Sequence, residues 1–335
     1  MKIKTTLMGA VAATAMLAGA QAATAAGHGE ITVAYFLEWP MPFQYGKVTG
    51  AYEEAMGVDI NWVSFDTGTA MSAAMASGDV QLAVSQGVPP FVVATSAGQD
   101  LQTLDVAVSY ADNDNCVVQA ELEIDASNAG DLAGVKAAVP LGTAAHYGFL
   151  KQMDHFGVDL SSIEIVDMAP PDGAAAFAQD SVDMFCGWGG SLRRALEHGN
   201  VLLTGAEKEE LGILVFDVTS GPADWVAENP DMVAAFLAVT AEMNEGWNSG
   251  AMVDEMLPVI AQDAGMSEEA TAETMATFVF PSVEAQLSAK WLGGAAQEFM
   301  KGVAGVFVEA GSIPSAKDSY ESNVNVGPLT AAADM

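Results

Sequence analysis

Three short segments place small polar residues where a strand runs into a helix: Asp66-Thr67-Gly68-Thr69, Ser85-Gln86-Gly87 and Gly142-Thr143. Each offers hydroxyls beside the free N–H groups of a helix start. Such an end attracts anions through those donors and a macrodipole worth about half a positive charge. Plain N-capping explains any one of them, because Thr or Ser there satisfies its own helix. Three together, drawn from two halves of the chain, point to a site for one anionic group. The only two arginines are Arg193 and Arg194, expected on a helix face against acidic surface, and only Lys47 lies near the first loops. An anion held here relies on neutral donors. That disfavours phosphates and dicarboxylates and suits a ligand with one anionic and one cationic end.

The cationic end has candidates too. Glu38 and Asp217 are acids at the ends of expected strands, placed to meet an ammonium. Phe36, Trp39, Phe43 and Tyr45 follow the first strand, His146 and Tyr147 open the helix after Thr143, and Trp188 sits between glycines. Aromatic faces hold an ammonium with about 0.5–2 kcal/mol each. Phe43 and Phe185 are read as core.

Enzyme signatures are absent: no G-x-S-x-G, no phosphate loop of the G-x-x-x-x-G-K type, no dinucleotide fingerprint in context. The four histidines have no metal-site spacing with each other or with the cysteines. His146 and His155 lie on one expected helix but point to opposite faces. The reading is a binding protein with no cofactor and no metal. With 11 Lys and Arg against 44 Asp and Glu, the chain repels nucleic acid and anionic lipid. A hydrophobic fraction of 51% still allows a folded core. Cys116 and Cys186 permit one disulfide in an oxidising compartment, or two buried thiols.

The elements that position these groups follow in order. Lys2 and Lys4, an uncharged run from Leu7 to Ala20 and Ala23-Thr24-Ala25-Ala26 read as a signal peptide (1–26) cleaved after Ala25 or Ala26. The run falls well short of the roughly 20 residues a membrane span needs. Beyond it a β-α-β-α rhythm argues for α/β architecture with mostly parallel sheets. Residues 27–112 and 217–335 form one expected lobe, and 113–216 a second lobe inserted into it. The two crossovers, near 111–116 and 211–218, form the hinge. A single closing helix is expected from Ala285 to Ala310.

Several stretches resemble one family in order and spacing. They are Thr32-Val33-Ala34-Tyr35, Phe65-Asp66-Thr67-Gly68, Ala76-Ser77-Gly78-Asp79-Val80-Gln81 and Ala138-Val139-Pro140 with His146-Tyr147. Glu164 to Pro171, the loop at Trp188 and Leu214 to Val218 complete the set. The chain is similar over residues 30–325 to the taurine/alkanesulfonate substrate-binding proteins of ABC importers. That resemblance implies a two-lobed type II periplasmic-binding fold, a small zwitterionic sulfonate as ligand, a membrane permease as partner, a periplasmic location and a monomer. It places Ser85, Gln86, Thr143, His146, Trp188 and Asp217 around the ligand. With Glu38, Trp39, Asp66, Thr67 and Asn115 these make the candidate site. Three departures bear on the ammonium end: the first loop, Glu38 to Phe43, is bulkier and more aromatic, Asn113 to Cys116 replaces a stretch that elsewhere carries a glutamate, and Cys186 sits beside the tryptophan of the Trp188 loop. Taurine or a close aminosulfonate is the expected ligand, with another alkanesulfonate or a methylated amine as alternatives.

Overall fold

The computed structural model describes residues 29–335, so the expected leader lies outside the described residues. Strands β1 (Glu30–Tyr35), β2 (Asp59–Ser64), β3 (Leu82–Gly87), β4 (Leu101–Thr103) and β5 (Val108–Tyr110) come first along the chain. After them come β6 (Asp114–Gln119), β7 (Lys136–Val139), β8 (Glu164–Asp167), β9 (Met184–Trp188) and β10 (Gly199–Val201). The last two are β11 (Phe216–Pro222) and β12 (Phe278–Val279).

Among the described residues these strands make two sheets. One runs β12-β5-β11-β3-β1-β2, with β4 also paired to β11, and the other runs β10-β6-β9-β7-β8. The chain therefore leaves the first sheet between Tyr110 and Asp114 and returns between Val201 and Phe216. This gives two lobes with two connections. Both sheets share one plan: the first strand of the lobe sits between the second and third, and beyond the third lies the strand arriving from the other lobe (β11 or β6). β1–β2, β1–β3, β7–β8 and β7–β9 pair in parallel as expected. The arriving strands pair antiparallel, so the sheets are mixed rather than mostly parallel. A strand entering from another lobe needs no right-handed crossover to reach its neighbour, and either direction is open to it.

Local sequence explains the helices around the seam. Helix α1 (Gly68–Ser77) is capped by the Thr67 hydroxyl, which accepts from Ala70 N–H, and it stops at Gly78 with φ of 84°. Helix α2 (Val88–Ser96) carries Pro89 and Pro90 in its first turn, where a missing N–H costs nothing. Helix α3 (Ala144–Phe156) is capped by Thr143 and ends at Gly157 with φ of 66°. β3 and β6, central in their sheets, are buried along their whole length. Helix α4 (Gly189–Ala195) leaves β9 directly, and Gly189 takes a positive φ of 57°. The expected closing helix is broken into Val283–Gln286 and Ala295–Glu309, with Gly293-Gly294 in the turn between. From the second of these helices, Phe299 and Phe307 pack on Tyr147, and Phe307 stacks on His146.

The disulfide alternative is the one realised. Cys116 and Cys186 face each other across β6 and β9 and are bonded. The bond closes a loop with a sequence separation of 70 residues. A chain-entropy estimate for a loop of that size is about 4 kcal/mol. Replacing both cysteines by serine is expected to lower the melting temperature by several degrees, read by calorimetry against the oxidised wild type. An unchanged melting temperature would mean that packing alone holds β6 to β9.

Candidate functional site

A small cavity lies in the seam between the lobes, with about 20 Å³ of free space. That holds one ordered water, so any larger solute enters only when the lobes part. Three helix starts reach it besides that of α4, whose first N–H groups, on Gly189 and Gly190, are spent on Asn113 O and Glu38 O. Gly68 begins α1, Gly87 precedes α2, and Thr143 with Ala144 begins α3. The first two belong to one lobe and the third to the other. Gly68 is required by proximity: a Cβ there would meet the Pro90 ring at 2.6 Å. α1 and α2 could not converge around a larger residue. The donors are unequally distributed. A helix start leaves its first N–H groups without intrahelical partners, but Pro89 and Pro90 remove two of those from α2. The anion-binding capacity therefore rests on α1 and α3, one in each lobe.

Two carboxylates line the same cavity, Asp217 and Asp114. Asp217, on β11, is held at both oxygens. Ser85 Oγ donates to Oδ2 at 2.6 Å and Tyr110 OH donates to Oδ1 at 2.6 Å. Trp39 Nε1 in turn donates to Ser85 Oγ at 2.9 Å. Ser85 lies inside β3, not in the loop expected for it, with a positive φ of 61°. A non-glycine residue in that conformation is held there by its surroundings, and the Trp39–Ser85–Asp217 chain supplies the hold. Burial raises Asp217 to about 7 against the lowering effect of its two hydroxyl partners, and the nearby Asp114 pushes it further up. Asp114, on β6, has a buried Oδ2 with no hydrogen-bond partner among the described residues. Burial raises it too, to about 7, although the Lys208 ammonium opposes the rise. Lys208 is itself buried and donates to the Asp114 backbone carbonyl. Phe36, Tyr110 and Trp188 supply the aromatic walls, and among the described residues neither Lys nor Arg lines the cavity.

Of the candidates, the structure brings Thr143, Trp188 and Asp217 to the cavity wall and sets Ser85 and Trp39 directly behind Asp217. Thr67 caps α1 and shares a hydrogen bond with Thr69. Others are placed elsewhere, each for a visible reason. Gln86 spends its amide on Gly68 O and Ser72 and accepts from Ser220, knitting β3, α1 and β11 together. Asn115 donates to Leu203 O and accepts from Cys116 N–H, because alternation along β6 turns it away from the face that carries Asp114. His146 stacks on Phe307 and accepts at Nδ1 from Gly142 N–H, and burial lowers it to about 4, so it stays neutral. Asp66 is exposed. Glu38 does not face the cavity. It forms an ion pair with Arg194 of the other lobe, 2.7 Å from Nη1 to Oε1. Asp114 and Tyr110 were absent from the candidate set, and Phe36 was read only as one of the aromatics after the first strand. Asp114 had a signal, an acid in the segment where the resemblance departs.

Outward of the Phe36–Trp188 contact (ring centroids 5.9 Å apart) lies a second void of about 330 Å³. It is bounded by Leu37, Glu38, Phe65 and Asp66 from one lobe and by Pro170, Pro171 and Gly190 from the other. Gly190 lies close under Glu38: a Cβ there would meet the Glu38 carboxylate at 2.6 Å and push that side chain aside.

Comparison with known proteins adds family and fold. The chain is 28% identical over 206 residues to the taurine-binding periplasmic protein of Escherichia coli K12, covering 62% of either chain. It thus spans less than two thirds of that relative's length. Among solved structures it is similar to the alkanesulfonate-binding protein of Xanthomonas axonopodis pv. citri bound to MOPS. The TM-score is 0.72 at 19% identity, over 90% of this chain and all of that one. The nitrate-binding protein of Synechocystis PCC 6803 superposes with a TM-score of 0.73 at 14% identity, over 92% of this chain and 89% of that one. One fold thus serves relatives named for different anions, and the likeness in shape speaks for the fold alone. The family model described as NMT1/THI5 like matches residues 41–248, and by that match across more than half its length the chain belongs to the NMT1/THI5-like family.

Proposed function

We propose that this protein is the solute-binding component of an ABC importer, working outside the cytoplasmic membrane with a permease as partner, and that it binds taurine or a closely related aminosulfonate in the inter-lobe cavity. The observation that carries the reading is the pairing of opposites in one small space: carboxylates from both lobes, and helix starts from both lobes. The ammonium lies between Asp217 and Asp114 under Phe36, Tyr110 and Trp188. The sulfonate lies against the N–H groups of α1 and α3 and the hydroxyls beside them. Hydrogen bonds to charged groups contribute about 1.5–3 kcal/mol each in such surroundings. The resemblance to sulfonate-binding relatives supports the anionic end.

The test is a thermal-shift panel, because a ligand that binds only the folded state raises the melting temperature with its concentration. Taurine and hypotaurine are expected to raise it most. Isethionate keeps the sulfonate and loses the ammonium, so it is expected to act at least tenfold more weakly. Equal action by isethionate would remove the carboxylates from recognition. A betaine also carries both charges and suits the aromatic walls, and a larger shift with it than with taurine would reassign the ligand to a methylated amine.

A further inference from the structure

Among the described residues, Phe36 and Trp188 alone line both the inner cavity and the outer void. They come from opposite lobes, Phe36 just after β1 and Trp188 at the end of β9. Phe36 is buried and Trp188 half-buried. Inside the pair the space is about 20 Å³ and charged groups face it; outside, it is about 330 Å³. The outer wall combines apolar faces, Phe65, Pro170 and Pro171, with an exposed rim at Leu37 and Asp66. The inner chamber has room for no more than a small head group as the lobes part, and the outer one has room and surface for an apolar chain. The Glu38–Arg194 ion pair joins the lobes at the outer chamber, which Glu38 also lines.

We propose that the Phe36–Trp188 contact is the length filter of the site. It closes over a short zwitterion, and the outer chamber takes the substituent of an N-alkylated or longer aminosulfonate once that contact is removed. The proposal rests on the aminosulfonate reading and extends it to the limit on ligand size.

The experiment measures taurine, 3-aminopropanesulfonate and N-cyclohexyltaurine by calorimetry on the wild-type chain, on Phe36→Ala and on the milder Phe36→Leu, with far-UV circular dichroism to confirm folding. Wild type is expected to favour taurine over N-cyclohexyltaurine by at least tenfold. Phe36→Ala is expected to shift that ratio by tenfold or more toward the bulky ligand, and Phe36→Leu by less in the same direction. If wild type binds taurine but prefers the bulky ligand, or if the ratio stays fixed in whichever variant folds, the filter is overturned while the aminosulfonate reading stands. If wild type binds none of the three, that reading fails and takes the filter with it.

Discussion

Asp217→Asn is expected to weaken taurine binding by a hundredfold or more while leaving the unliganded protein at least as stable as wild type. The carboxylate is buried, accepts from Ser85 and Tyr110, and faces a cavity without Lys or Arg. Truncating one partner of a buried charge pair costs roughly 2–5 kcal/mol, and 1.4 kcal/mol is a factor of ten in affinity. The amide keeps the shape, and the two hydroxyls can rotate to meet it. The upward shift of Asp217 arises chiefly from burial, so a neutral side chain relieves a desolvation cost in the empty protein. Calorimetry with taurine and isethionate separates the charge from the shape. Only taurine should lose affinity. Equal losses for both ligands would mean that the substitution has disturbed the cavity and not the ammonium contact.

The second large effect is on pH. Read from sequence, the carboxylates titrate near their usual value of about 4, and affinity holds down to that point. The structure moves this window. Burial raises Asp217 and Asp114 to about 7. An ammonium ligand must then displace protons, and its affinity is expected to fall about tenfold for each pH unit below 7 per proton displaced. Isethionate, with no ammonium, should hold or gain. The empty protein behaves in the opposite sense. An acid whose folded value lies above its unfolded value binds more protons when folded. Its stabilisation is complete below about 4 and is lost as pH rises through 7. Asp105, raised by burial to about 6, adds to the same trend. The unliganded melting temperature should therefore climb between pH 8 and pH 5 while the increment given by taurine shrinks. A flat affinity over that range, with a melting temperature that falls on acidification, would mean that these carboxyls ionise as ordinary surface acids.

Much of this arrangement was readable in the residues. Thr67 and Thr143 mark helix starts through a local rule, hydroxyl before helix, and local rules survive without neighbours. Asp217 was readable as an acid on a strand of an expected α/β lobe. Asn115 and Asp114 differ by one place, yet on a pleated strand one place is the other side of the sheet. Which side faces the seam depends on β9 alongside, a partner some seventy residues away. Gln86 and His146 were persuasive because polar residues near a site invite a role. Their hydrogen bonds go to Ser72, Ser220 and Gly142, which only the packed structure reveals. Tyr110 escaped notice because its strand has only three residues and adjoins the expected crossover. The break in the closing helix did have a signal, the Gly293-Gly294 pair inside the expected span.

The two cavity acids are divided between the halves of the molecule, Asp217 on the sheet that holds β1 and Asp114 on the sheet that holds β7. Ionised and without a counter-ion between them, they repel, and the buried Lys208 stands on one side only. If the cavity takes the cationic ligand proposed above, these acids act as a spring in its absence, pushing the jaws open, and a positive cargo cancels the push. Occupancy would then be converted into shape.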